Sequence, residues 1–217
     1  MTEWWSYELS DFLMFSARTW HRTLELHNRD WFPLQAFSTL ALVVLLFLLR
    51  ARLRWAPRAG LVLMALAWFF VAWAFHWQRY APINWAAQYF AIGFAVQALL
   101  LAWVASGAAP GPDGRGLRGM TGDTLLAAAV LYPLLALATG KPVVQSEWFG
   151  LMPEPTVLAT LGLLLHLRGR WPAFAMVLPL LWCAVAGATL WTLKSPAWSL
   201  MPLAGALAVL ALWQGRS

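Results

Sequence analysis

With one cysteine in 217 residues, Cys183, the chain can form no internal disulfide, and no CxxC spacing is present to hold zinc. Charge is scarce as well. Only 11% of residues are charged, against about 25% in soluble domains, which excludes a fold wrapped in a solvated shell of ionised side chains. Ionisable groups are nearly missing from the apolar runs, which argues against an ion pump or a proton relay through a bilayer centre. A GxSxG elbow, a paired Ser and Lys, and paired intramembrane aspartates are all lacking, so no nucleophilic enzyme is indicated. The opening MTEWWSYELSDF has no basic stretch leading into an apolar one, so a cleaved signal peptide is not expected.

What is present is mostly apolar: 61% of residues are hydrophobic and the mean hydropathy is +0.63. Runs suited to crossing a bilayer fall near 31–49, 59–77, 83–106, 121–139, 155–167, 171–193 and 196–213. They predict an all-α membrane protein, a bundle of about seven transmembrane helices. The run at 155–167 is the short one. Its roughly 13 residues reach about 20 Å, against a hydrocarbon core of about 30 Å. If its inner end is held by Arg168 and Arg170, the chain from Phe149 to Pro153 enters as non-helical backbone, tolerated at depth only inside protein or beside a watery cavity.

The net charge of +6 sits in the loops, where it reads as a topology signal and not as a nucleic-acid groove. Arg50, Arg52, Arg54 and Arg58 follow the first run, Arg115 and Arg118 the third, Arg168 and Arg170 the fifth. The other loops carry Arg79, Lys141 and Lys194 singly. This alternation predicts an N-terminus outside and a C-terminus inside, with Glu147 and Glu154 on the outer side. Trp31, Trp55, Trp77, Trp85, Trp148, Trp171, Trp198 and Trp213 stand at run ends, as an aromatic belt requires.

Two regions follow: an extracytoplasmic tail, 1–30, and the transmembrane domain, 31–217. In the tail, Ser10 is the expected cap of an amphipathic helix, with Phe12, Leu13, Phe15, Trp20, Leu24 and Leu26 interleaved among charges. It is too charged to span and is expected to lie on the outer leaflet. The loop GAAPGPDGRGLRGMTGD is a glycine-rich linker; its glycines follow no strand and make no dinucleotide site.

Polar residues gather toward the outer side. In FHWQRYAPIN, Pro82 and Asn84 suit a hairpin turn and a helix cap, while His76 could equally face a ligand. Gln97 and Tyr132 are expected either to bond across helices or to line a pocket. Glu154 stands either at the wall of an outward-opening pocket or among the headgroups. The candidate ligand pocket is therefore His76, Asn84, Tyr89, Gln97, Tyr132 and Glu154, with no catalytic residue, metal or cofactor expected. His21 and His27 are six apart and share no helix face, and His76 and His166 fall on opposite sides, which leaves neither a metal nor a haem site. Pro179 and Pro202 read as kinks in the last two runs.

The stretches YELSDFLMFSARTWHRTLELHNRDWFP, AFHWQRYAPINWAAQYFAIGFAVQALLL, FGLMPEPTVLATLGLLL and VLPLLWCAVAGATLWTL resemble a family of bacterial multi-pass membrane proteins catalogued only as a domain of unknown function. The resemblance covers most of the chain and implies a bacterial inner membrane, with no activity to carry over. It also implies a cysteine between prolines where this chain has Glu154, a departure that weakens any thiol or soft-metal role.

The expectation is a non-enzymatic inner-membrane protein that binds or transports a small molecule or ion through an outward-facing pocket. The alternative is an accessory or scaffold subunit. The lipid bilayer is the expected partner, followed by other membrane subunits or a second copy of the chain, and no nucleic acid is expected.

Overall fold

The computed structural model describes residues 15–107 and 116–214. Among these residues every regular element is helical. Helix α1 (Ala17–Asp30) starts at Ser16, whose hydroxyl accepts the Thr19 amide at 3.2 Å; the expected cap, Ser10, lies outside the described residues. Its buried stripe of Trp20, Thr23, Leu24, His27 and Asn28 follows helical spacing. The opposite face is charged, with Glu25 bridging Arg22 and Arg29 at 2.9 and 2.7 Å. The chain then bends by 86° into α2 (Leu34–Arg50), so that α1 turns across the end of the bundle.

Helix α3 (Ala56–Phe70) runs on as ten residues of π-helix, Val71–Tyr80, and α4 (Ala87–Gly107) returns beside it. After the linker come α5 (Leu117–Leu131) and α6 (Leu134–Ala138), broken at Pro133, which has no amide hydrogen to donate. Next are α7 (Pro153–Leu165), α8 (Arg170–Phe174), α9 (Val177–Thr192) and α10 (Leu200–Gln214). Pro179 and Pro202 lie in the first turns of α9 and α10, and the break between α8 and α9 falls at Ala175 and Met176, just ahead of Pro179, which has no amide hydrogen to donate.

By length and composition three helices can cross a membrane: Ala56–Tyr80 with 25 residues, Ala87–Gly107 with 21 and Arg170–Thr192 with 23. The bent pair α1 and α2 makes a fourth if it counts as one span. The expectation of seven crossing helices is thus corrected. The remaining apolar helices, α5, α7 and α10, have 15, 13 and 15 residues, short of the roughly 20 a crossing takes.

Helix α7 is the axis of the fold. All 13 of its residues are buried, packed by α3, α5, α9 and α10. Its contact with α5 is possible because two glycines meet: a Cβ on Gly162 would lie 2.7 Å from the Gly122 carbonyl oxygen. At its C-terminal end Arg118 donates to the Leu165 oxygen at 2.9 Å and also to the Leu167 oxygen, satisfying carbonyls that the helix leaves open. Asp123 joins the same end, 3.0 Å from Arg50 and 3.2 Å from His166. The arginine-rich termini therefore meet at one end of the molecule, and α1, Lys141 and Lys194 meet at the other.

Of the expected belt, Trp55, Trp77, Trp85, Trp171, Trp198 and Trp213 are exposed, whereas Trp31 and Trp148 pack against the core. The sides of the bundle carry bare Phe47, Leu66, Phe69, Leu99 and Leu203.

Candidate functional site

Two helix endings and one loop converge beneath α1. Helix α6 closes with the Lys141 amide on the Ala136 oxygen at 2.7 Å, with Gly140 in the left-handed region at φ 72. Helix α9 closes the same way, with the Ser195 amide on Leu190 at 2.9 Å, but here Lys194 takes the left-handed position at φ 52. A residue with a Cβ is disfavoured there, which makes Lys194 an unexpected choice where glycine is the usual one.

Between these endings lies a pocket of about 150 Å³, lined by Trp20 and His21 of α1, Tyr132, Lys141, Glu147 and Lys194. At a liquid share of about 30 Å³ per water it has room for roughly five waters, or for a small organic molecule. Burial and the Lys141 charge both lower the His21 basicity, so its ring stays neutral near pH 7.

The pocket floor is built by the loop before α7. Ser146 donates to the Pro133 oxygen at 3.0 Å, and Asn28 of α1 donates to the Val144 and Ser146 oxygens at 2.9 and 2.8 Å. Gln35 holds Asn28 in turn, through its backbone oxygen at 2.7 Å. Gly150, at φ 76, turns the chain back, and its amide donates to Thr156 of α7 at 2.9 Å. This geometry lays the Glu147 carboxyl on that of Glu154, the second residue of α7, with the Trp182 indole beside it. Burial first, then the Glu154 carboxyl, push the Glu147 acid well above the usual carboxylate range.

The expected site residues divide. Tyr132 lines the pocket and Glu154 lies under it, so these two come together. His76 does not reach the pocket. It is fully buried in an aromatic box, 4.5 Å from the Phe94 ring centre and 5.1 Å from Trp182, and among the described residues neither ring nitrogen has a hydrogen-bond partner. Asn84 is a cap and brace: its oxygen accepts the Ala86 amide at 3.1 Å and its amide donates to the Tyr80 hydroxyl at 2.8 Å. Gln97 is interhelical glue, donating to the Ala175 oxygen at 2.8 Å. Tyr89 is 66% exposed on the outside of α4 against Trp85, which removes it from any pocket.

Lys141, Glu147, Lys194 and Trp182 were not among the expected residues. A signal existed for Glu147, because it and Glu154 are the only acidic residues after Asp123. The lysines carried none, since single basic residues at helix ends balance the helix dipole as a matter of course. Among the described residues no group of three or more His, Cys, Asp or Glu is placed to hold a metal ion. A larger groove, about 770 Å³, runs along α2 past Phe32, Leu40 and Val144, but its walls are almost wholly apolar.

Residues 17–216 match the profile of a family described as a family of unknown function (DUF6064). No curated protein and no solved structure matches the chain.

Proposed function

The chain belongs to that family of unknown function, and from this premise we propose that it is a multi-pass inner-membrane protein that binds a small polar solute from the outer side, for uptake or sensing. The observation that carries the reading is the pocket under α1, where Lys141, Lys194, Tyr132 and Glu147 converge in an otherwise apolar chain. Polar groups converging in a concave site are the usual mark of ligand binding.

The charges select the solute. Two ammonium groups face a carboxyl pair that carries one negative charge when it holds one proton, so the pocket is net cationic. A small anion that also offers a hydrogen-bond donor fits it: the lysines take the anionic group and Glu147 the donor. Orientation follows from charge placement, with the arginine-rich end inside and the α1 end outside. The exposed apolar sides of the bundle support a lipid environment.

A thermal-shift screen of the detergent-purified protein against small carboxylates, inorganic phosphate, amines and metal ions tests the reading. A solute at 100 times its Kd stabilises the fold by about 2.7 kcal/mol. The expected result is stabilisation by small anions, lost in Lys141→Ala. Stabilisation by no class of compound overturns the solute reading and favours an accessory subunit.

A further inference from the structure

The pocket floor has a chemistry of its own. Glu154 is 4% exposed, and its carboxyl is reached by its own backbone N–H at the start of α7 and by the Glu147 side chain. Glu147 lines the pocket and its carboxyl lies against that of Glu154, so the pair straddles the boundary between water and core. Among the described residues Oε2 of each carboxyl is buried with no hydrogen-bond partner.

A second observation points to the same place. Trp182 is 8% exposed, its indole N–H lacks an acceptor in bonding geometry, and its side chain lies against Glu154. A buried N–H left open toward a carboxyl is what a site whose charge changes would retain, because an apolar ring would pack there at less cost.

Two carboxyls in contact, one of them buried, ionise together only at high cost, and a hydrogen bond between them needs one proton. The other groups that face the pair leave this intact. Tyr132 from the end of α5, Tyr80 from the π-helix and Cys183 from α9 are neutral donors. Lys141 acts on Glu147 across the pocket and favours its charged form, though among the described residues it makes no ion pair with it, and Lys194 and His21 line the same pocket.

We propose that Glu147 and Glu154 form a one-proton binding site that exchanges with water through the pocket under α1. The proton enters from the outer water onto a Glu147 oxygen and is shared with Glu154, whose carboxylate the first turn of α7 stabilises. It goes no deeper, because the next buried base, His76, is walled in by Phe90, Phe94 and Trp182. The inference deepens the solute reading, since a proton at the floor sets the charge that a bound anion meets.

Infrared difference spectroscopy on the full chain, labelled with ¹³C at the glutamate carboxyls, reads the site without any solute. The expected result is a protonated glutamate carbonyl band near neutral pH that shifts promptly in D₂O and is lost in both Glu147→Gln and Glu154→Gln. The label identifies the band as glutamate in the unsubstituted protein, so a variant that fails to fold does not void the test. Absence of the band near neutral pH overturns the proposal. So does a band that ignores D₂O, which would mark a sealed structural acid, or one that persists in both variants. A failed solute screen beside a positive infrared result would sink the solute reading alone.

Discussion

At the scale of single residues, the α1 end holds two side chains placed against their own preference. His27 is fully buried on α1 with its ring edge-on to Phe75 at 5.3 Å. Burial, with help from the Arg79 charge, lowers its pKa from 6.5 to about 4, a shift the Leu151 backbone and Asp30 only partly offset. The unfolded chain therefore takes up the proton first as pH falls. The stability that neutral His27 contributes is complete above pH 6.5 and is lost between pH 6.5 and 4, by about 3 kcal/mol for a shift of this size. Thermal melts across that range are expected to fall steeply in the natural protein and less in His27→Phe; parallel slopes would reject the assignment. Lys194 makes the complementary case. If it only ends α9, Lys194→Gly relieves a left-handed Cβ, adds about 1 kcal/mol and leaves solute stabilisation intact. If it also seats an anion, the same variant melts higher yet no longer responds to the anion, and a retained response would remove Lys194 from the site.

Elements show where composition stops informing. Helix α7 is short enough to be recognised as a non-crossing segment from its length alone, and Asn84 and Gln97 took the capping and bonding roles that their residue types allow. What could not be read was that α7 is buried on every side. A lipid-facing leucine and a core leucine are the same in sequence, because lipid is as apolar as a protein interior. The ten-residue π-helix was equally silent: it turns His76 into the aromatic box instead of the pocket, and nothing in VAWAFHWQRY departs from α-helical composition. Glycines mark where two helices come closest. Gly162→Val puts a Cβ 2.7 Å from a backbone oxygen of α5, which cannot move aside as a side-chain tip can. A loss of more than about 3 kcal/mol is expected. Gly93→Ala, where a Cβ meets nothing within 4 Å, is the control expected to melt like the natural protein. Equal melting of the two variants would mean that α5 and α7 do not touch as described.

For the whole molecule, the proposed orientation joins the two ends to the two sides of a membrane, and the chain is well built for testing it. Its one cysteine, Cys183, is 2% exposed, so the natural protein offers almost no background to a membrane-impermeant thiol reagent. Single cysteines can then be introduced one at a time. Lys141→Cys and Lys194→Cys stand at the α1 end, in loops with a single positive charge; Arg54→Cys and Arg168→Cys stand in the arginine-rich loops. Because positive charge in short loops sets orientation, intact cells are expected to label the first pair and to spare the second until the membrane is permeabilised. The opposite result would put the pocket on the inside and make its solute an internal one, with the carboxyl pair exchanging protons with the cytoplasm. Labelling of all four in intact cells would mean that the apolar sides of the bundle do not face lipid, and an assembly with other subunits would then have to cover them.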